Sequence, residues 1–304
     1  MLSEGTMDVV SIITINYNGY EETREFLESI RCYLKEENYQ YEVIVVDNAS
    51  SGNDAELIEA KFPWVRLIKS DENLGFSGGN NLGIKYAKGN YFFFLNNDVV
   101  IDSDIISNLL PLFADTSVGV ISPKVVDYEA KRILHNGAQF PGKFMIRIHF
   151  FNDLKREEEV FPIPFAIGSA VLVKKQVVTM AGGWPDMYFL YEEELDWSLT
   201  IRKKGFIILY APSAVFHKGG MSTGKNSPLR AYYSTRNRLL LYKRHLSGIY
   251  RMGAILFTLC IAIPQQCIKH IQNKEQALCK AKIIGIIDFL RGRFYQRKKA
   301  FDKL

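Results

Sequence analysis

The chain has 304 residues, of which 47% are hydrophobic and 13% aromatic, and carries a net charge of +5. That is enough apolar material for one large α/β core plus an extension, and it excludes a disordered chain. Four cysteines (Cys32, Cys260, Cys267, Cys279) lack CxxC spacing, which excludes a zinc ribbon or a disulfide framework and fits a reducing compartment.

The N-terminal stretch MLSEGTMDVV has no basic flank before an apolar run, so a secretory signal is not expected and a cytoplasmic location is. Residues 9–15 (VVSIITI) form a β-branched strand that ends in Asn16, Tyr17, Asn18 and Gly19. Residues 21–34 fit a helix with Phe26, Leu27, Ile30 and Leu34 on one face. A second strand, 42–46, ends in Asp47 and Asn48. A helix over 54–62 is stopped by Pro63, and 65–68 is a short strand. Residues 73–81 (NLGFSGGNN) form a glycine-rich loop opening a helix over 80–87. Its backbone amides could meet a diphosphate, but it is neither a Walker loop nor GxGxxG.

Residues 91–98 (YFFFLNND) carry the strongest signal. Five bulky apolar residues read as a strand buried on both faces, followed abruptly by Asn96, Asn97 and Asp98. Ligands of open α/β sheets bind just past the carboxyl ends of such strands. Asp98 is therefore the leading candidate for a hard cation such as Mg²⁺ or Mn²⁺. A helix over 104–113 and a strand over 118–122 follow. Residues 127–161 are less regular and read as an acceptor-side insert, a lid or a plain surface excursion; they hold His135, Phe140, Phe144, His149, Phe150, Phe151 and a charged run over 153–159. Strand character returns over 167–173.

The aromatic run 187–191 leads into Glu192, Glu193, Glu194, Leu195, Asp196 and Trp197. Crowded carboxylates raise one another's pKa, which suits a general base, although acids also suit the start of a helix. Residues 206–210 (FIILY) form a strand. His217 follows, before Lys218, Gly219 and Gly220, and is a candidate metal ligand. From Lys225 onward there are 17 Lys/Arg against 3 Asp/Glu; the rest of the chain has 21 against 30. The apolar stretch 252–263 is read as too short to span a bilayer alone, with Pro264 after it. Mixed with basic residues, it suits helices lying on an anionic membrane surface rather than nucleic acid; packing on the main domain or on a second copy is the competing expectation.

Taken together, these segments resemble the family 2 glycosyltransferases of GT-A fold, with a bacterial rhamnosyltransferase-like flavour. The resemblance rests on ITINYNG, VIVVDNASS, NLGFSGGNNLGIKYA, FFLNND, GSAVLV, GGW…FLYEEELDWSLTIRKKG, HKGGMST and YYSTRNR, in that order over roughly residues 8–245. It implies a mostly parallel central sheet flanked by helices over residues 1–245. Residues 246–304 would be a basic amphipathic helical extension, membrane-associated or oligomerising. It implies that Asn16, Tyr17 and Asp47 hold the base and ribose of a nucleotide sugar, and that Asn73, Gly75 and Asn80 line its pocket. Asn96, Asn97 and Asp98 occupy the family's DXD position, with Asp98 on the metal and His217 completing the shell. Asn96 replaces an acid found there in many members. Glu193 and Glu194 match the family's acidic pair, with Glu194 the expected base. Asp196 and Trp197 would shape the acceptor side, and Arg236 and Arg238 would steady the leaving diphosphate. The implied reaction is inverting transfer from a UDP- or dTDP-sugar to a hydroxyl of a saccharide or lipid-linked saccharide. A polyprenyl-phosphate sugar transferase and a non-catalytic nucleotide-sugar-binding subunit are the alternatives.

Overall fold

The computed structural model describes residues 7–135, 138–139, 142–145, 149–150, 158–219 and 227–297. In chain order, β1 (Asp8–Asn16), α1 (Tyr20–Tyr33), β2 (Tyr39–Asp47), α2 (Asp54–Lys61), β3 (Arg66–Lys69), α3 (Gly75–Tyr86) and β4 (Tyr91–Leu95) form the N-terminal half. Then come β5 (Val99–Val100), α4 (Ile105–Leu109) with a 3-10 turn at Leu110–Ala114, β6 (Val118–Asp127), β7 (Ile133–His135), β8 (Ala138–Gln139), β9 (His149–Phe150) and β10 (Phe161–Pro162). The remainder is β11 (Ala170–Lys174), α5 (Lys175–Ala181), α6 (Glu193–Lys203), β12 (Ile207–His217), α7 (Pro228–His245), α8 (Gly248–Phe257), α9 (Ile263–Gln272) and α10 (Gln276–Leu290).

The main sheet runs β10-β12-β6-β11-β4-β1-β2-β3. β3, β2, β1 and β4 are mutually parallel, as are β6 and β12; β11 runs against both of its neighbours, β4 and β6. The expected mostly parallel central sheet is therefore present, with β11 reversed in its middle and β10 reversed at its edge, and with the short β5 and β7 also pairing antiparallel to it. β4 explains why its apolar run is unbroken. Phe93 and Leu95 pack into the core on one side of the sheet, and Phe92 and Phe94 into the core on the other. Each fully buried side chain of this kind stabilises the fold by about 1.5–3 kcal/mol. Phe94 meets Trp184 and Trp197 edge-on, with ring centroids 5.4 and 5.9 Å away.

Several expected boundaries move. α3 starts at Gly75, inside the glycine-rich loop, where Asn48 and Asn73 side chains accept from the Leu74 and Gly75 amides at its entry. β6 and β12 are longer than predicted and hydrogen-bond to each other along most of their length. Within the irregular middle, β7 pairs with β6, β10 with β12, and β8 with β9. Phe140, Phe151 and most of the charged run 153–159 lie outside the described residues, as do residues 220–223 of the HKGGMST segment.

The largest difference is in the extension. Pro264 does not end a helix. α8, a five-residue π-helical stretch at Thr258–Ala262, and α9 are continuous, giving a 25-residue helix over Gly248–Gln272. Pro264 sits in the first turn of α9, just after that stretch, where i→i−4 bonding is already interrupted. This helix is long and apolar enough to cross a membrane by length and composition, contrary to the 12-residue reading, and only 22% of its most apolar window is buried. α10 returns along α7. Gly285 allows that approach: a Cβ there would lie 2.8 Å from the Tyr232 carbonyl oxygen.

Candidate active site

Parallel pairing puts the carboxyl ends of β1, β2 and β4 along one edge, with Asn16 directly opposite Asp47. Asn16 Nδ2 donates to Asp47 Oδ1 (2.8 Å), to Ser50 Oγ (3.1 Å) and to Asp54 Oδ2 (3.0 Å). Its Oδ1 accepts from Thr23 Oγ1 (2.8 Å). Asn16 and Asp47 are both buried, so they act as a rigid brace behind the cavity rather than as its lining.

The cavity itself has a volume of about 380 Å³. Tyr17, Asn73, Gly75 and Asn80 line it, together with Asn96, Asn97 and Asp98. Asn48, within a quoted motif but given no role, organises the glycine loop. Its Nδ2 donates to the Gly75 carbonyl (3.1 Å) and its Oδ1 accepts from Leu74 N–H (2.9 Å). Asn73 Oδ1 accepts from Gly75 N–H (2.8 Å). Gly75 has φ +71, and a Cβ there would strike the Phe189 carbonyl oxygen at 2.4 Å. Glycine is thus required on both counts. Asn97 is fastened to α1 through Thr23 Oγ1 (2.9 Å) and the Gly19 carbonyl (3.3 Å).

β5 delivers the candidate metal pair. It runs antiparallel to β12 with Val99 opposite His217, so Asp98 and His217 become neighbours. His217 Nε2 lies 3.4 Å from Asp98 Oδ1. Asp98 is 6% exposed, and its Oδ1 has no hydrogen-bond partner. Burial pushes the Asp98 carboxyl up, against the opposing pull of His217. An orphaned buried carboxylate oxygen beside an imidazole fits a divalent cation. Among the described residues no three His, Cys, Asp or Glu side chains converge, so such an ion would take its other ligands from substrate and water. Gly219 N–H donates to His217 Nδ1 (3.0 Å), which leaves the ring proton on Nε2. Ligation through Nε2 would require that proton to move and the Gly219 contact to loosen.

The acidic helix start is built quite differently. Phe189, Tyr191 and Glu192 are non-glycine residues at positive φ, +67, +67 and +74. Such conformations cost of the order of 1–3 kcal/mol each and persist only where surroundings hold them. Here α7 holds them. Asn237 Nδ2 donates to the carbonyls of Tyr188 (2.9 Å), Leu190 (2.7 Å) and Tyr191 (2.8 Å). Arg236 donates to the carbonyls of Tyr188 (2.8 Å), Met187 (3.3 Å) and Tyr295 (2.8 Å). Arg238 forks onto Glu192 with both contacts at 2.9 Å. The expectation that Arg236 and Arg238 face a diphosphate is thus corrected. Arg236 is fully buried, with its Nη donors on backbone oxygens and Tyr232 Oη and its Nε on Asn237 Oδ1, and Arg238 is held by Glu192.

Asp196 and Trp197 also lie away from the cavity. Asp196 accepts from Tyr188 Oη (2.7 Å), Arg244 Nη2 (3.2 Å) and pairs with His245 (3.0 Å). Burial opposes its charge, but these partners outweigh it and hold the carboxyl below its usual range. Trp197 packs on Trp184 with centroids 4.3 Å apart and donates to the Gly182 carbonyl (2.9 Å).

Glu193 and Glu194 differ in surroundings. Glu193 is buried with one carboxyl oxygen unpartnered, and burial followed by the charge of Glu194 pushes its carboxyl well up. Glu194 is pushed up to about 7, first by burial and then by the charge of Glu192. Glu194 stands behind the cavity wall at Gly168, where a Cβ would lie 3.8 Å from its own Cβ. Sequence reasoning missed Gly168 as a lining residue, although it stood in the quoted GSAVLV. It also missed Tyr233, Gln296 and Arg297, which line the same cavity. No local pattern marks the last two.

A mixed sheet with amide and carboxylate side chains along its carboxyl edge, and a braced acidic helix opposite, defines a GT-A nucleotide-sugar transferase architecture. Two solved structures share it. The mannosyltransferase from Pyrobaculum calidifontis in complex with GDP-Man and Mn²⁺ matches with TM-score 0.58 and 13% identity over 95% of this chain and 88% of its own. GalNAc-T7 with UDP, GalNAc and Mn²⁺ matches with TM-score 0.63 and 14% identity over 79% of this chain and 48% of that longer one.

The chain belongs to glycosyl transferase family 2, whose family model matches residues 11–179. It is 27% identical over 243 residues to a low-salt glycan biosynthesis hexosyltransferase of Haloferax volcanii, covering 77% of this chain and 75% of that one. It is 25% identical over 285 residues to a dTDP-rhamnosyl transferase of Shigella flexneri, covering 88% and 91%. It is 23% identical over 273 residues to an N-acetylglucosaminyl-diphospho-decaprenol L-rhamnosyltransferase of Mycobacterium tuberculosis, covering 80% and 87%.

Proposed function

We propose that the protein transfers a sugar, with inversion, from a nucleoside-diphosphate donor to a hydroxyl of a saccharide or lipid-linked saccharide in surface polysaccharide biosynthesis. The observation that carries this reading is the cavity itself: amides on one wall, Asp98 with its neighbour His217, and the near-neutral Glu194 behind Gly168. The names of the Shigella and mycobacterial relatives favour dTDP-rhamnose as donor and a lipid-linked sugar as acceptor.

In this mechanism Glu194 is the general base. A base titrating near 7 is matched to neutral pH. Glu194 takes the proton of the acceptor hydroxyl. That oxygen bonds to the anomeric carbon from the face opposite the diphosphate, and the bond from carbon to phosphate oxygen breaks. Tyr17, Asn48 and Asn73 orient the nucleoside, and the Asn16–Asp47 brace keeps that edge from yielding. A divalent cation held by Asp98 and His217 would supply charge neutralisation for the departing nucleoside diphosphate.

We also place the protein peripherally on the inner face of the cell membrane. Ile249, Met252, Leu256, Ile261, Ile268 and Ile271 are exposed along the α8–α9 helix, and Ile283, Ile287 and Leu290 along α10. Exposed Arg251, Lys269, Arg291 and Arg293 accompany them, a pairing that suits an anionic lipid surface. Co-sedimentation with anionic vesicles, lost on neutral ones, is the expected result.

The test of the reaction is transfer by purified protein from a panel of UDP-, dTDP- and GDP-sugars with Mn²⁺, with the product configuration read by NMR. An inverted, EDTA-sensitive product supports the mechanism. Retention of configuration contradicts it, and the absence of both transfer and donor hydrolysis favours a binding subunit.

A further inference from the structure

Three glutamates stand together at the start of α6, and the reaction above gives Glu192 no part. Glu192 occupies the N-cap position at φ +74. A carboxylate there would ordinarily turn back and accept from the first-turn amides. This one makes no such bond. Its carbonyl joins the helix by accepting from Asp196 N–H (3.2 Å), while its side chain reaches across to α7. There Arg238 Nη2 donates to Oε1 and Nε faces Oε2, both at 2.9 Å. The Glu192 side chain is 11% exposed and that of Arg238 21%, so the fork is shielded from water. Arg236 and Asn237, the two residues before it on α7, grip the backbone carbonyls of 187–191. Arg238 continues that row but grips a side chain, directly before Glu193 and Glu194. Leu195, directly after them, packs in one core with Leu239 and Tyr242 of α7, which ties the two helices together.

The charged groups facing Glu194 are Glu192 and Glu193 from its own segment and Arg238 from α7. Asp196 is taken up by Arg244 and His245. The charged residues of α5 and α3, Lys175 and Lys85, are exposed, and His217 of β12 lies beside Asp98. On α10, Asp288 is paired with Arg297, and Lys282 donates to Gln266. Burial and then the charge of Glu192 push the Glu194 carboxyl up, and Arg238 draws it down by less. Burial also pushes the Glu192 carboxyl up, against the pull of Arg238. A guanidinium does not lose its proton in proteins, so the fork maintains Glu192 as an anion.

We propose that Glu192, clamped by Arg238, is a positioning residue of the reaction: it fixes the start of α6 and sets a constant negative charge beside Glu194. The proposal rests on the reading of Glu194 as the base. It gives the third glutamate a task that neither the cavity wall nor the acidic pair performs.

The experiment uses full-length wild type, Glu192→Gln and Glu192→Gln/Arg238→Gln. The titration of Glu194 is followed without substrate by carboxyl carbon NMR, its signal assigned by its loss in Glu194→Gln. The pH profile of kcat/KM for sugar transfer is measured alongside. In Glu192→Gln the Glu194 titration and the acidic limb should both fall by about one pH unit, because a negative neighbour is lost and the guanidinium is left uncompensated. The double variant removes both charges, so its value should lie between those of wild type and Glu192→Gln. Donor KM should stay unchanged in both. If Glu192→Gln does not fold, the double variant decides, with a titration below that of wild type. An unmoved titration, or a loss of rate equal at every pH, would make Glu192 merely structural and overturn the proposal. A wild type without an acidic limb, whose Glu194→Gln variant still transfers sugar, would instead sink the reading of Glu194 as the base, and this assignment with it.

Discussion

The two walls of the cavity are made in opposite ways. On the sheet side, polar residues follow directly from strand ends. Asn16, Asp47 and Asp98 come at the point where an apolar run stops, and pairing across β1, β2 and β4 does the rest. On the helical side, three residues in unfavourable backbone conformations precede Glu193 and Glu194, and buried side chains of α7 hold them there. The sheet wall is rigid because it is regular. The helical wall is rigid only because Arg236 and Asn237 spend their donors on it. One consequence is that the sheet wall should tolerate change near its side chains, whereas the helical wall should fail as a unit.

The largest effect expected is on the helical wall. Glu194→Gln should lower kcat by about 10²–10⁴-fold, the usual worth of a general base, with donor affinity retained. The same change should stabilise the fold at high pH. The wild-type carboxyl titrates near 7 rather than at its ordinary 4.5, so its contribution is fully present below 4.5 and is lost as pH rises through 7. Above pH 7 Glu194→Gln should therefore exceed wild type by about 1–2 kcal/mol in denaturant unfolding.

A second variant sharpens the contrast. Arg236→Met leaves the Met187 and Tyr295 carbonyls without their Arg236 donor and releases the strained loop. Each lost charge-assisted bond of this kind is worth about 1.5–3 kcal/mol, so a loss of roughly 3 kcal/mol or more is expected, read as a fall in thermal midpoint of roughly 5–10 °C. Asp47→Asn, on the sheet wall, should cost far less stability, since an amide can still accept from Asn16 and Ser50.

The same contrast explains what could be read from the sequence. The β4 run and the Asn96–Asp98 turn were legible because burial on two faces leaves an unbroken apolar signature that ends sharply. Asn73, Gly75 and Asn80 were legible as a loop, but the start of α3 was not, because Asn48, from the end of another strand, and Asn73 hold the Leu74 and Gly75 amides at its entry. Arg236 and Arg238 were misread since a basic pair near a phosphate-binding fold looks like a ligand pair. Their partners, the carbonyls at 187–188 and Glu192, are more than 40 residues away. Arg297 gave no signal, because only the packing of α10 along α7 brings it to the site.

The central claim is that Glu194, tuned to near neutrality by burial, accepts the acceptor's proton from behind the Gly168 wall of the cavity. The most direct check is the pH dependence of kcat/KM for sugar transfer from pH 5 to 9. An acidic limb with an apparent pKa near 7, lost in Glu194→Gln, is the predicted profile; a rate flat down to pH 5 would contradict it.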